Sequence, residues 1–200
     1  MINKFVMASG NAGKIKEFNL LLNKSGYVVV SQDMYQITSI EETGTTFLEN
    51  AILKARNACD QTGKPSIADD SGLEVFALNG APGLHSARFA GPDCDDNKNI
   101  MKLLEQMSEI PSQDRGAQFR CTVVCLRSAD DPEPLISEGL WKGTICDKPR
   151  GNKGFGYDPI FWVTEENCTA AELDSDHKNR ISHRGKAMRD MLKQIEEHFN

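Results

Sequence analysis

Two hundred residues, 39% of them hydrophobic, suit one globular domain folded as two lobes about a cleft. The net charge of −6 excludes a protein that wraps a nucleic-acid polymer, and no run approaches the roughly 20 apolar residues of a membrane span. The apolar start is too short for a signal peptide, and the six cysteines show neither C-x-x-C nor zinc spacing, so the expectation is a cytoplasmic protein whose thiols serve as small buried hydrophobes.

Phe5 to Ala8 reads as a short buried strand, and Ser9, Gly10, Asn11, Ala12, Gly13 and Lys14 follow it as a glycine-rich turn. Ile15, Phe18, Leu21 and Leu22 then recur at helical spacing, with Gly26 as the stop. Strand, glycine turn and helix in succession aim free backbone N–H groups at a phosphate. The turn is not a Walker A loop, because Ala8 stands at the first-glycine position and Ile15 replaces the Ser/Thr.

Tyr27 to Val30 is a second expected strand. Glu41 and Glu42 precede a helix that runs to about Thr62, capped by Thr45 or Thr46, with Glu49 placed to close a capping box. Asn50, Lys54, Asn57 and Gln61 form one polar stripe on it. Asn57 and Gln61 read as a solvated face, whereas Asn50 and Lys54 lie one turn from the glutamates and can reach a shared site.

Ile67 and Ala68 lead into Asp69, Asp70, Ser71 and Gly72. Two adjacent carboxylates repel, which is tolerated where a cation intervenes or one of them is protonated. In a strand they point to opposite faces, so only one faces any given pocket. The same four residues also suit a surface turn. A loop glutamate beside Asp70 would complete an oxygen site for Mg²⁺.

Glu74 to Leu78 runs into Asn79-Gly80, the signal for a hairpin, and the irregular loop beyond carries His85 and Arg88. Asp95 or Asp96 caps a helix with Ile100, Leu103, Leu104 and Met107 on its apolar stripe. Ala117 to Leu126 alternates as a half-buried strand, and its antiparallel partner through Trp141 to Cys146 makes the sheet mixed. Gly151, Gly154 and Gly156 hold an open backbone beside Phe155 and Tyr157, on which a planar base can stack, although Tyr157 also suits a turn with a core aromatic. Ser182 is a natural N-cap for the last helix, placing His183, Arg184 and Lys186 in its first turn. Cations are disfavoured there by the helix dipole. With Lys178 and Arg180 just before them, they imply an anionic or acceptor-rich ligand.

Seven pieces run in order along the chain: Ser9 to Lys14, Glu41-Glu42-Thr43-Gly44, Phe47-x-Glu49-Asn50-Ala51-x-x-Lys54-Ala55, Ala68 to Gly72, Ser86-Ala87-Arg88, Gly154 to Pro159 and Ile181 to Gly185. In that order they resemble the inosine triphosphate pyrophosphatase family, over nearly the whole chain. The resemblance implies an elongated α/β domain over residues 1–200, with a central mixed β-sheet, two lobes flanking a substrate cleft, and a homodimer. It implies hydrolysis of dITP, ITP and XTP to the monophosphate and pyrophosphate. Asp70 would be the general base and, with Glu41, a Mg²⁺ contact. Ser9, Gly10, Asn11, Ala12, Gly13 and Lys14 would hold the triphosphate, and Ser71 a further part of the substrate. Phe155, Gly156, Tyr157, Asp158, Lys178, His183 and Arg184 would hold the base and nearby groups.

The chemistry fits these residue types. Mg²⁺, Lys14 and Lys54 would neutralise the charge developing on the transferred group, and a carboxylate sharing the metal can polarise water. No Ser-His-Asp set or activated cysteine suggests a covalent intermediate. A donor from His183 or Arg184 would match the 6-oxo group of hypoxanthine or xanthine and oppose the amino group of adenine. The alternatives are a pyrophosphatase for other non-standard nucleotides, such as modified pyrimidines, and a nucleotide-binding module without turnover; Asp70 discriminates the latter, because a pure binder needs no base beside its metal.

Overall fold

The computed structural model describes residues 4–22 and 26–199, the side chain of Leu21 excepted. Among them, seven strands form one sheet: β1 (Lys4–Met7), β2 (Val28–Ser31), β3 (Ser66–Val75), β4 (Gly116–Leu126), β5 (Leu135–Ile145), β6 (Phe161–Val163) and β7 (Cys168–Thr169). Their order is β2-β1-β3-β4-β5-β6-β7. Strand β1 pairs in parallel with β2 and β3, while β6 pairs antiparallel with β5 and β7, so the sheet is mixed. The helices are α1 (Ala12–Leu22), α2 (Phe47–Thr62), α3 (Asp96–Gln106), α4 (Ser175–Ile181) and α5 (His183–Phe199). None of the described helices is long and apolar enough to cross a membrane.

The chain divides into two compact units, Met1–Asp70 with Cys121–Gly139 and Arg184–Asn200, and Ser71–Arg120 with Leu140–His183. Strands β3, β4 and β5 change unit part-way along their length.

In the first unit both sheet faces are apolar, because helices cover both. Phe5, Met7, Ile67, Cys121 and Val123 pack with Phe18 of α1 and with Met188, Met191 and Ile195 of α5. Val6, Ala8, Ala68, Val124 and Leu126 face Ala51, Ala55, Ala58 and Cys59 of α2. This corrects the half-buried expectation for β4. Its first five residues alternate, but Cys121 to Leu126 are buried on both faces.

Helix α2 begins as its sequence dictates. The Thr46 hydroxyl accepts the Glu49 N–H at 3.1 Å, and the Glu49 carboxylate accepts the Thr46 N–H at 3.2 Å. Asn57 and Gln61 are not an idle solvated face. The Asn57 amide donates to the Thr38 carbonyl at 2.9 Å, and the Gln61 amide both donates to that carbonyl and accepts the Thr38 N–H. They pin the segment that leads to Glu41 and Glu42.

The second unit is built on Leu73, Val75, Ile100, Leu103, Phe119, Trp141, Ile160 and Phe161. The expected hairpin after β3 reduces to a single bridge between Glu74 and Pro82, because the chain turns through a short 3-10 segment at Phe76–Leu78. Helix α3 is capped by Asp95, whose carboxylate accepts the Lys98 N–H at 3.0 Å. Helix α4, which the sequence pattern did not announce, starts on Asp174, whose carboxylate accepts the His177 N–H at 2.8 Å.

The cysteines are all free. Burial pushes the Cys121 thiol up to about 12, the opposite of an activated nucleophile.

Candidate active site

The glycine-rich turn opens α1 at the end of β1. The Asn11 side chain accepts the Lys14 N–H at 3.1 Å, and the Ser9 hydroxyl accepts the Asn11 N–H at 3.2 Å. These two bonds shape a helix N-terminus with Gly10, Asn11 and Ala12 exposed, the arrangement expected of an anion site.

Strand β3 resolves the repulsion between its two aspartates by turning them to different cations. Asp69 is fully buried, with Lys14 Nζ at 2.8 Å and Arg184 Nε at 3.6 Å. Arg184 also donates to Glu17 at 2.5 Å. Asp70 accepts from Lys54 Nζ at 3.0 Å and from the Asn50 amide at 3.2 Å, and Lys54 reaches Glu42 at 2.7 Å. Asn50 in turn accepts the Gly44 N–H at 2.8 Å, tying the glutamate loop to the head of α2.

These surroundings drive the two carboxylates apart. Burial would raise Asp69, but Lys14, Arg184 and Lys54 outweigh it and hold the group well below the usual carboxylate range. Burial prevails at Asp70, where Lys54 opposes it and Glu42 reinforces it, so the pKa is raised. Burial likewise disfavours charge on Lys54, but Asp70, Asp69 and Glu42 overcome it and raise that pKa. Asp69 is a fixed charge; Asp70 is the readier proton acceptor.

The second unit gathers the other candidates. Asp158 is buried, paired with Lys178, and accepts the Phe155 N–H at 2.9 Å. The Lys178 ammonium lies 5.0 Å from the centre of the Phe155 ring. Gly154 is required here, since a Cβ would fall 2.0 Å from Asp158 Oδ2. The Gly156 N–H donates to Asp96 at 2.7 Å. His183 stacks on Phe119 with centroids 4.7 Å apart and rings 11° from parallel. Tyr157 is buried and its hydroxyl donates to the Ser86 carbonyl at 2.8 Å, which makes it a brace of the loop.

The Ham1 family profile matches residues 5–194. The dITP/XTP pyrophosphatases of Vibrio cholerae and Photobacterium profundum are 53% and 51% identical to this chain, over 98% and 96% of it and 98% and 97% of their own lengths. A solved HAM1 protein from Coxiella burnetii is similar with a TM-score of 0.91 and 46% identity, over 97% of this chain and 98% of that one. The chain belongs to the Ham1 family.

Membership bears out the resemblance that the seven ordered pieces suggested. Within this Ham1 chain, the first unit holds Ser9 to Lys14, Glu41, Lys54, Asp70 and Arg184, and the second holds Ser71, Phe155 to Asp158, Lys178 and His183. Glu41 is exposed on its loop, and the neighbouring Glu42 is the carboxylate that shares Lys54 with Asp70. At the start of α5, the carboxylates of Glu17 and Asp69 face Arg184 and offset its charge there.

Sequence periodicity missed Glu17, Asp69 and Asp96 as organisers, whereas Asn50 and the glutamate pair were already placed within reach of a shared site. Asp69 nevertheless carried a signal, since it stands inside a quoted piece. Glu17 follows Lys14 by one helical turn, the spacing at which side chains share a face.

Among the described residues, no group of three or more His, Cys, Asp or Glu side chains is arranged to cage a metal. Asp70 and the glutamate loop nevertheless offer hard oxygen donors. That set suits a small divalent cation shared with phosphate oxygens.

Proposed function

We propose that this chain hydrolyses non-standard purine nucleoside triphosphates, dITP, ITP and XTP, to the monophosphate and pyrophosphate, cleansing the nucleotide pool. The names of its relatives support the substrate class. The observation that carries the chemistry is the pair on β3: Asp69 locked between Lys14 and Arg184, Asp70 held by Lys54 with its pKa raised.

In this reading, residues 1–200 act as one domain, in the cytoplasm and as a homodimer. Ser9 to Lys14 and Lys54 bind the triphosphate, and Ser71 touches it near the nucleoside. Asp70 takes a proton from water as the water oxygen bonds to the α-phosphorus. The bond from that phosphorus to the bridging oxygen breaks, pyrophosphate leaves with the electron pair, and Asp70 returns its proton to solvent. Asp70 and Glu41 would hold Mg²⁺, which would supply charge neutralisation on the phosphate oxygens.

Phe155, Gly156, Tyr157, Asp158 and Lys178 form the base-binding side, Tyr157 through its bracing of the loop. His183, fixed by its stack on Phe119, donates to the 6-oxo group. Arg184, engaged with Asp69 and Glu17, supports its neighbour and the phosphate side.

The test is a substrate panel with Mg²⁺ and the full chain. Pyrophosphate should appear from dITP and XTP much faster than from dATP or dGTP. Equal rates on all four, or none on any, would overturn the proposal.

A further inference from the structure

The loop Gly154 to Asp158 has little regular structure to hold it. Gly154 and Gly156 adopt φ of +76° and +60°, and a cavity of about 640 Å³ lies between the loop and the first turn of α3, lined in part by Asp96, Ile100, Met101, Asn152 and Phe155. Side-chain packing therefore does not back the loop on that side. Two carboxylates do the work instead. Asp158 accepts the Phe155 N–H and Asp96 accepts the Gly156 N–H, so each peptide plane flanking Phe155 is tied to its own acceptor.

Asp96 can reach across because its neighbour relieves it of capping. Asp95 takes the Lys98 N–H, leaving the Asp96 side chain exposed and directed to the loop. Its base is firm: the buried Asn99 amide donates to the Ala87 carbonyl at 2.9 Å and accepts the Ala90 N–H at 2.7 Å, and Ile100 and Leu103 enter the core.

Resting on the function proposed above, we propose that Asp96 is a positioning residue for purine recognition. It fixes the peptide between Phe155 and Gly156, and with it the attitude of the Phe155 ring beside Lys178. Without it the Phe155–Gly156 peptide keeps only the longer turn bond from the Asp158 N–H to the Phe155 carbonyl, at 3.3 Å, while Asp158 still holds the other plane through its side chain. The loss falls on ground-state binding of the base more than on the chemical step.

The full chain and its D96A and D96N variants are compared on dITP with Mg²⁺, alongside amide hydrogen exchange at Gly156. D96A should raise KM about fivefold with kcat changed by less than about twofold, and D96N, which keeps a carbonyl acceptor, should restore KM to within about twofold of wild type. Gly156 exchange should quicken in D96A and not in D96N. Unchanged KM in D96A, an equal loss in D96N, or unaltered Gly156 exchange would overturn the assignment. If the wild-type chain released no pyrophosphate from dITP, the proposed function would fall, and Gly156 exchange would still decide whether Asp96 holds the loop.

Discussion

Asp69→Asn separates a fixed structural charge from the reactive one beside it. The Asp69 side chain has no exposure, and Lys14 Nζ and Arg184 Nε stand 2.8 and 3.6 Å away. At 2.8 Å and an effective dielectric constant of about 20, the Lys14 pair alone attracts by about 6 kcal/mol before desolvation is offset. An amide keeps the shape but removes the charge both cations face. Breaking a buried pair in this way costs about 3–5 kcal/mol, which for a chain of this size lowers the melting temperature by roughly 6–20 °C. The pH dependence has a definite sign. Because the folded pKa of Asp69 is depressed, its contribution is complete above the ordinary value of 3.8 and is lost as pH falls through the folded value. Urea unfolding of both proteins at pH 7 and below pH 3.8 should therefore show a large gap that narrows on acidification. A cost under about 1 kcal/mol at pH 7 would refute the clamp.

Three further outcomes follow from neighbouring contacts. Asp70→Asn should keep the fold and much of the affinity for dITP while turnover falls roughly 10²–10⁴-fold, read by steady-state kinetics and calorimetric binding; near-normal turnover would remove Asp70 as the base. Gly72→Ala would place a Cβ 2.3 Å from the Gly83 carbonyl oxygen and 2.7 Å from Ser86 Oγ, where two backbones meet. A loss of about 1–3 kcal/mol in thermal unfolding is expected, and an unaltered transition would contradict that contact. Asp131, lowered to about 2 chiefly by its hydrogen bonds to Arg127, stabilises the turn after β4 above pH 3.8 and ceases to do so as pH falls through about 2. Since Arg127 is partly exposed, Asp131→Asn should cost only about 1 kcal/mol at neutral pH, a gap that shrinks as pH falls towards about 2 in urea titrations.

Local chemistry made part of this molecule legible and long-range pairing concealed the rest. Thr46 and Glu49 announced the start of α2 because a capping box is complete within four residues. The glycine turn after β1 was legible for the same reason. By contrast, the Glu17–Arg184 pair joins residues 167 positions apart, and nothing in periodicity reveals it. The basic start of α5 consequently gave no sign in the sequence that protein carboxylates meet Arg184. The interior of β4 hid its second buried face because Thr122, polar in a strand pattern, is nonetheless buried and bonds Glu138 at 3.1 Å. Helix α4 is seven residues long, too short for a periodic signal, and rests on the Asp174 cap. Either Asp95 or Asp96 could have capped α3, and only the fold assigns Asp96 to Gly156.

The central claim is attack by water on the α-phosphorus with Asp70 as the base. Turnover of dITP with Mg²⁺ in heavy-oxygen water, followed by mass analysis of both products, tests it directly. The label should enter the monophosphate and leave the pyrophosphate unlabelled. Label in pyrophosphate, or release of labelled orthophosphate with a diphosphate, would contradict it.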